Sequence, residues 1–349
     1  MKTYPFILTF FIFFLTNIHA QKFVPKNGGC LLFVGQDLES VGGLKNYNNG
    51  YVDHFKTPAG ITLYTNLSPH HCSFGNYLWG LDGLIEVSDW GAGESCGDLY
   101  LESENFKNTA IAIGVSFVNN EKKIANGELD DLIVKLAQWV KTTQRPVLLR
   151  IGYEFDGWDW NHYNRKDYLK CWEKITQIFK EQKVDNVAFV WQSKGSDTNQ
   201  KTFEKWYPGD DLVDWVGYSY FGQPDEEMLH FARAHNKPVF IAEATPVRQI
   251  DGLYFDCDLK KENLSKVIWK EWYAPFFETL KKNQDIIKAV SYINANWSEQ
   301  TMWVYNPTFQ KVDARIQMNT YITQKWKEQL DSLNLIHASN QLYGIMGFE

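Results

Sequence analysis

The chain has 349 residues, of which 44% are hydrophobic, 22% are charged and 16% are aromatic. This composition excludes a disordered or collagen-like chain, and five cysteines in this length exclude a small disulfide-stapled scaffold. The formal net charge of −7 gives no electrostatic footprint for nucleic acid. The 14 tryptophans and 18 tyrosines predict a surface that stacks on flat ligands such as sugar rings.

Residues 1–20 read MKTYPFILTFFIFFLTNIHA and have the pattern of a secretory signal peptide. Lys2 precedes an apolar run of about ten residues, which is too short to span a bilayer, and Ala20 offers a cleavage point. We therefore expect residues 21–349 to form the exported chain, either extracellular or periplasmic. A membrane anchor is the alternative interpretation of the same segment.

Export makes disulfides possible, and Cys72 and Cys96 flank one loop-rich stretch. We favour a bridge between these two, with five reduced and buried cysteines as an equal alternative. The sequence has no CxxC or HExxH motif, so it predicts neither a structural zinc nor a metalloprotease site.

Beyond residue 21, short apolar runs alternate with amphipathic stretches. Near-continuous apolarity is typical of parallel strands that are buried on both faces. The predicted strands are Leu31–Gly35, Ile61–Leu67, Ala110–Phe117, Pro146–Ile151, Val187–Trp191, Val213–Tyr220, Pro238–Ala242 and Ile287–Ile293. Helical periodicity falls at Asp130–Val140, Asp167–Phe179, Met228–Ala234, Leu264–Leu280 and Ala314–Leu333.

Eight strands that alternate with helices predict an α/β fold, a (β/α)8 TIM barrel in a single domain. A doubly wound sheet is the alternative, but the turn Val34-Gly35-Gln36-Asp37 after the first strand lacks the GxGxxG pattern of that fold. Residues 68–107 lack clear periodicity and carry six glycines, so we expect long loops there, on or beside the functional rim.

One glutamate stands at the end of each of two predicted strands, where a barrel carries its chemistry. Glu154 follows the fourth strand and Glu243 ends the seventh. A glycosidase needs two carboxyls at one mouth. One protonates the leaving oxygen, and the other attacks the anomeric carbon or activates water. Ordinary strand-end carboxylates are the alternative, but a glutamate at the end of an apolar strand is unfavourable unless it is paired or functional.

The neighbours of these glutamates fit such roles. Desolvation by Phe155, Trp158 or Trp160 would raise the pKa of an acid at position 154. Positive charge from Arg150, or a tyrosine hydroxyl, would keep a nucleophile ionised. We expect Trp158 and Trp160, which alternate with Asp159, to stack on sugars on either side of the scissile bond.

The segment after the fourth strand is similar to a known motif. It reads Arg150-Ile151-Gly152-Tyr153-Glu154-Phe155-Asp156-Gly157-Trp158. In glycoside hydrolase family 26 the corresponding motif is Arg, two residues, His, Glu, an apolar residue, Asn, Gly and aromatics. Residues 189–191 (FVW), 206–217 (WYPGDDLVDWVG) and 237–243 (KPVFIAE) resemble the family's fifth strand, its approach to the sixth strand and its nucleophile strand. The similarity extends over residues 145–246.

The resemblance implies the retaining mechanism of the clan A hydrolases, with Glu154 as acid/base and Glu243 as nucleophile. It also implies that a tyrosine of the sixth strand, Tyr218 or Tyr220, touches the nucleophile. Trp297, after the eighth strand, would be the platform for the sugar whose bond is cleaved.

The motif departs from the family at two positions. Tyr153 stands where the family has His, and Asp156 replaces Asn. These changes bear on the choice of sugar more than on the reaction, because Tyr and His differ in bulk and in hydrogen bonding. For Trp191, at the end of the fifth strand, a place in the cleft and a place in the core are equally compatible with the sequence.

The sequence therefore predicts a secreted, monomeric, retaining β-glycanase that acts on a polysaccharide. We expect no metal, no cofactor, no nucleic acid and, after signal cleavage, no membrane partner. β-1,4-Mannan is the leading substrate because it dominates the family that the chain resembles. β-1,3-Xylan, mixed-linkage β-glucan and galactan are alternatives. A non-catalytic carbohydrate-binding barrel and a metal-dependent deacetylase or amidase are alternatives of another kind.

Overall fold

The computed structural model describes residues 21–69, 81–195 and 198–348. Its centre is a closed barrel of eight parallel strands, in which each strand pairs with the next and the eighth pairs with the first. The strands are β1 (Cys30–Gly35), β2 (Gly60–Asn66), β3 (Ala110–Ser116), β4 (Val147–Ile151), β5 (Val187–Ser193), β6 (Trp215–Tyr220), β7 (Val239–Ala244) and β8 (Ile287–Ile293). All eight overlap the predicted strands, and the (β/α)8 fold is confirmed.

Helices lie between the strands and cover the outside of the barrel. The longer helices are α1 (Asp130–Thr143), α2 (Arg165–Glu181), α3 (Gln200–Trp206), α4 (Glu226–Ala234), α5 (Ala274–Lys282) and α6 (Thr320–Ser332). A single π-turn, Trp269–Tyr273, connects the short helix Ser265–Ile268 to α5. The asparagines that begin α2, α3 and α6 accept backbone N–H groups of the first turn, so these helix starts are written in the local sequence.

Shorter helices and strands lie in the connections around the barrel. The other short helices are Leu38–Val41, Tyr51–His54, Gly97–Leu101, Glu121–Ala125 and Leu342–Ile345. The shorter strands are Ser88–Asp89 with Glu94–Ser95, Arg248–Ile250 with Leu253–Phe255, Cys257–Asp258 with Val312–Asp313, and Leu335–Ile336 beside β1. Of the predicted loop region 68–107, residues 70–80 lie outside the described residues.

The barrel interior has two layers of different chemistry. The lower layer is apolar and fully buried, with Phe33, Leu148 and Phe240 among its members. Phe23 near the start of the described chain and Met346 near its end pack beneath this layer and close the base. Towards the carboxyl ends of the strands the buried side chains become polar: Thr62, Arg150, Gln192, Ser219, Glu243 and Ser291.

The four cysteines among the described residues, Cys30, Cys96, Cys171 and Cys257, are free thiols. Cys72, the predicted partner of Cys96, lies outside the described residues. The predicted signal peptide, residues 1–20, also lies outside them. Within the part of the chain that the structure describes, every helix is too short or too polar to cross a membrane.

Candidate active site

A cleft of about 860 Å³ opens at the carboxyl ends of the barrel strands. Five of the predicted site residues line it: Tyr153, Glu154, Trp160, Glu243 and Trp297. Trp90 and Ala92, from the glycine-rich loop region, line it as well, so this part of the region lies on the rim as predicted. The cleft therefore brings together residues that follow β2, β4, β7 and β8.

A sharp turn after β4 presents Glu154 to the cleft. Its backbone has φ +50°, a left-handed conformation that is unusual for a residue with a side chain. The Glu154 carbonyl accepts hydrogen bonds from the backbone N–H of Gly157 (2.7 Å) and from Asn161 Nδ2 (2.5 Å), which hold this turn. The carboxyl accepts two more, from Ser219 Oγ to Oε1 (2.6 Å) and from Trp160 Nε1 to Oε2 (3.1 Å).

An irregularity in β7 directs Glu243 into the barrel. The register with β6 pairs Tyr218 with Ile241 and then Ser219 with Glu243, so that Ala242 is an extra residue. A bulge of this kind re-aims the following side chain, and such bulges recur beside active sites. Glu243 Oε1 accepts a hydrogen bond from Arg150 Nη1 at 2.6 Å, and the two side chains form an ion pair.

Arg150 is completely buried beneath the cleft. Its Nη1 also donates to Gln192 Oε1 at 3.0 Å, and its guanidinium lies 4.8 Å from the ring centre of Tyr64 and 5.3 Å from that of Tyr153. Space for it comes from Gly114 on β3, where a Cβ would stand 2.8 Å from Arg150 Nη2. The aromatic faces partly replace the hydration that the buried cation has lost.

The two carboxyls have different electrostatic surroundings. Burial, and secondly the negative charge of Glu243, raise the pKa of Glu154 to about 8, although the hydrogen bonds from Ser219 and Trp160 act in the opposite direction. Glu243 instead has the Arg150 cation in direct contact. One carboxyl that keeps its proton at neutral pH beside one paired with a cation is the arrangement that acid and nucleophile need.

Asp156 lies behind the cleft wall, not in it. Its Oδ2 accepts from Ser193 Oγ and Thr198 Oγ1, both at 2.6 Å, and its Oδ1 accepts from the Lys194 N–H at 2.7 Å. The side chain therefore ties the turn that carries Glu154 to the loop after β5. The prediction that Asp156 binds substrate is wrong, because its carboxylate is fully engaged and buried.

Trp297 lines the cleft with one face covered. Its ring stacks on Phe309 with centroids 4.3 Å apart, and its Nε1 donates to Thr245 Oγ1 at 3.1 Å. Trp303, which follows in the same loop, also lines the cleft and meets Trp297 edge-on at 5.5 Å. These contacts fix the Trp297 ring in the loop after β8, where it lines the cleft.

Trp191 and Trp158, two of the predicted site residues, also lie outside the cleft. Trp191 stacks on Phe155 at 4.6 Å in the layer between barrel and helices, so the core interpretation of Trp191 is the one observed. Trp158 is 43% exposed and packs on Trp206 outside the cleft wall, because successive residues of the turn point in different directions.

The prediction that Tyr218 or Tyr220 touches Glu243 is wrong. The Tyr218 hydroxyl donates to Asp225 at 2.6 Å, and Tyr220 packs on Trp272 of the helical layer. Successive side chains of a strand alternate between faces, and in β6 the inward position falls to Ser219 between them.

Sequence reasoning missed three residues of the site: Tyr64, Gln192 and Ser219. Tyr64 and Ser219 lie inside predicted apolar strands, and Gln192 directly follows the predicted strand Val187–Trp191. A small or amide side chain between apolar residues of a strand was the available signal. Its inward direction depends on the register of the barrel. No cluster of three or more metal-ligating side chains occurs among residues 21–69, 81–195 and 198–348.

The chain is similar to enzymes of defined specificity along almost its whole length. It is 35% identical over 343 residues to a β-1,3-xylanase of a Vibrio species, which covers 94% of this chain and 70% of that protein. It is also 35% identical over 344 residues to a β-1,3-xylanase of an Alcaligenes species, covering 94% of this chain and 68% of that protein.

Solved structures share the fold at much lower identity. A β-mannanase of Bacteroides ovatus superimposes with a TM-score of 0.58 at 14% identity, covering 90% of this chain and 93% of that one. An endo-β-1,4-mannanase of Cellulomonas fimi gives a TM-score of 0.58 at 12% identity over 89% of this chain and 73% of that one. The sequence profile of glycosyl hydrolase family 26 matches residues 84–307, a span that includes both glutamates of the cleft. The chain is thus a glycoside hydrolase and belongs to glycosyl hydrolase family 26.

Proposed function

We propose that this protein hydrolyses β-1,3-xylan with retention of configuration. Glu243 is the nucleophile and Glu154 the acid/base. The observation that carries the reaction type is the contrast at the cleft floor, where Glu243 contacts Arg150 at 2.6 Å and the pKa of Glu154 is raised to about 8. The sugar is supported by the two β-1,3-xylanases that are 35% identical to this chain over nearly all of it.

The first step uses both groups at once. Glu243 attacks the anomeric carbon and the glycosidic C–O bond breaks, while Glu154 gives its proton to the leaving sugar oxygen. The product is a covalent ester between sugar and Glu243. Arg150 is in direct contact with the attacking carboxylate, and burial keeps Glu154 protonated until this step.

The second step reverses the role of Glu154. Its carboxylate now takes a proton from water, which attacks the anomeric carbon and releases Glu243. Esterification has removed the negative charge of Glu243, so the cause that ranks second in raising the pKa of Glu154 disappears. The same residue thus becomes a base when the reaction requires one.

β-1,4-Mannan, the substrate that the sequence favours, has weaker support. The solved mannanases are only 12% and 14% identical to this chain, and identity this low supports a shared fold but not a shared substrate. Tyr153 also stands where the family motif has histidine. Its ring lies against those of Tyr64 and Trp160 in the cleft, with ring centroids 5.5 Å apart in each pair. We therefore place xylan before mannan.

Release of reducing sugar from a polysaccharide panel tests this proposal. The purified chain should act on β-1,3-xylan in preference to β-1,4-xylan, mannan, galactan and mixed-linkage glucan. Proton NMR of the first products should show the β-anomer, because two inversions restore the starting configuration. Preferential hydrolysis of mannan would overturn the assignment of β-1,3-xylan as substrate. An initial α-anomer would overturn the retaining mechanism.

We also propose that the protein is exported. The basis is the sequence of residues 1–20, with Lys2 before an apolar run. N-terminal sequencing of protein recovered from the secreting host should begin near residue 21. An intact N-terminus in a membrane fraction would favour the anchor instead.

A further inference from the structure

Three side chains connect the two glutamates of the cleft through an unbroken series of four hydrogen bonds. Arg150 Nη1 contacts Glu243 and also donates to Gln192 Oε1 at 3.0 Å. Gln192 Nε2 donates to Ser219 Oγ at 3.1 Å, and Ser219 Oγ donates to Glu154 Oε1 at 2.6 Å. Arg150, Gln192 and Ser219 are all completely buried, so water does not substitute for any of these contacts.

The chemistry of arginine gives this series a direction. A guanidinium has only donors, so the Gln192 atom that faces Arg150 must be its carbonyl oxygen. The Gln192 amide NH2 then faces Ser219 and donates to it. A serine hydroxyl has one hydrogen to give, and with Gln192 on its acceptor side that hydrogen is available for Glu154.

A second donor fixes the other carboxyl oxygen. Trp160 Nε1, which can only donate, contacts Glu154 Oε2 at 3.1 Å. Each oxygen of Glu154 therefore receives one hydrogen bond from the protein. The acidic proton of the neutral form occupies a lone pair that neither Ser219 nor Trp160 uses, and the Glu154 side chain lines the cleft where the substrate enters.

We propose that Ser219 is a positioning residue that fixes the hydrogen-bonding direction at Glu154, and that Arg150 sets this direction through Gln192. The inference rests on the proposed function only in taking Glu154 as the acid/base. In the first step Ser219 leaves the acidic proton free for the leaving oxygen. In the second step its hydroxyl stabilises the Glu154 carboxylate that activates water.

Other charges act on Glu154 and are unchanged when Ser219 is altered. Glu243 on β7 and Asp156 in the same turn are negative, and Arg150 on β4 is positive. Lys194 and Asp159 stand 3.9 Å apart at the cleft wall. A change in the titration of Glu154 on substitution of Ser219 alone therefore reports the lost hydrogen bond.

Ser219→Ala tests the proposal, with Ser291→Ala as a matched control. Ser291 is an equally buried barrel serine, but its hydroxyl pairs with Thr62 Oγ1 at 2.7 Å. In protein labelled with 13C at glutamate Cδ, the resonance of Glu154 is assigned by its loss in Glu154→Gln. The pKa of Glu154 should rise by about one unit in Ser219→Ala, because a donor to the ionised form is lost, and stay unchanged in Ser291→Ala.

Kinetics give a second readout. The kcat on xylan should fall about tenfold to a hundredfold in Ser219→Ala, with less change in KM, and the alkaline limb of kcat/KM should move to higher pH. Gln192→Met should act in the same direction. It should add little to Ser219→Ala in the double variant, since both act through one series of contacts.

The outcomes separate this proposal from the proposed function. A wild-type pKa and wild-type kcat in Ser219→Ala, or an equal shift in Ser291→Ala, would overturn the role of Ser219 even if xylan is hydrolysed. Fully additive effects of Ser219→Ala and Gln192→Met would overturn the part assigned to Arg150 and Gln192. The NMR titration needs no substrate, so a shift without xylan hydrolysis would support Ser219 and reject the substrate.

Discussion

The mouth and the base of the barrel are built on the same eight strands but have opposite chemistry. At the base, Leu148 on β4 and Phe240 on β7 meet inside an apolar layer. Arg150, two residues beyond Leu148, and Glu243, three residues beyond Phe240, form a buried ion pair. The interior at the base is lined by apolar side chains, whereas the mouth keeps buried charged groups because Arg150 and Glu243 are partners.

We infer from this difference that the base of the barrel contributes mainly to stability and the mouth mainly to activity. Substitutions at the base should remove buried apolar contacts and lower the free energy of unfolding. Substitutions at the mouth should change rates and titration while the barrel stays folded.

The two glutamates should give the largest effects. Glu243→Ala and Glu154→Ala should each lower kcat by several orders of magnitude, because each removes a group that acts in the transition state. Circular dichroism should show intact folding in both. With an activated aryl xyloside and azide, Glu243→Ala should yield the α-glycosyl azide and Glu154→Ala the β-glycosyl azide. The reverse pattern of products would exchange the two roles.

Phe240→Ala tests the base. This ring is fully buried and meets Phe33 at 5.3 Å inside the barrel. Its truncation should lower the free energy of unfolding by about 3–5 kcal/mol, through lost burial and the cavity left behind. The kcat of the folded fraction should stay within about twofold of wild type if mouth and base are independent. Denaturant unfolding and single-temperature kinetics measure the two quantities, and a large fall in kcat would refute the separation.

Glu154→Gln should reveal how the acid affects stability. Its pKa is raised from 4.5 to about 8 in the folded chain, so the folded state holds a proton that the unfolded state loses in this range. Wild-type stability should therefore fall as pH rises from about 4.5 to about 8, whereas the amide does not titrate. The advantage of Glu154→Gln should grow across this window to about 5 kcal/mol at most. A difference in Tm that is constant with pH would contradict the raised pKa.

Tyr218→Phe should have the smallest effect. The Tyr218 hydroxyl donates to Asp225 outside the barrel, so its loss should lower the free energy of unfolding by about 1 kcal/mol. We expect kcat and KM for xylan to be unchanged. A marked fall in kcat would restore the role beside the nucleophile that the family resemblance implies.

The chain order and the types of the elements could be predicted from the sequence. The signals are local: apolar runs of strand length, helical stripes between them and asparagine caps. Each can be recognised without knowledge of the neighbouring segments. The same local reading located Glu154 and Glu243, because the residue that follows an apolar strand of a barrel stands at its mouth wherever the strand is placed.

Directions of side chains could not be predicted in the same way. Tyr218 and Tyr220 flank Ser219 in β6, and only the register of β6 against its neighbours decides which of these faces inward. In β7 the extra residue Ala242 shifts the register against β6, and this shift brings Glu243 to the cleft. A bulge forms only when a strand pairs with its neighbours, and the local sequence of β7 does not specify that pairing.

Local patterns of apolar and polar residues are therefore enough to predict a barrel of eight strands and the two carboxyls at its mouth. The groups that surround those carboxyls depend on tertiary packing and could not be predicted in this way. Arg150, Gln192 and Ser219 come from the adjacent strands β4, β5 and β6, and they meet because the register of these strands brings their side chains together. The different environments of Glu154 and Glu243 arise in the same way, because burial and contact arise only when distant segments pack together.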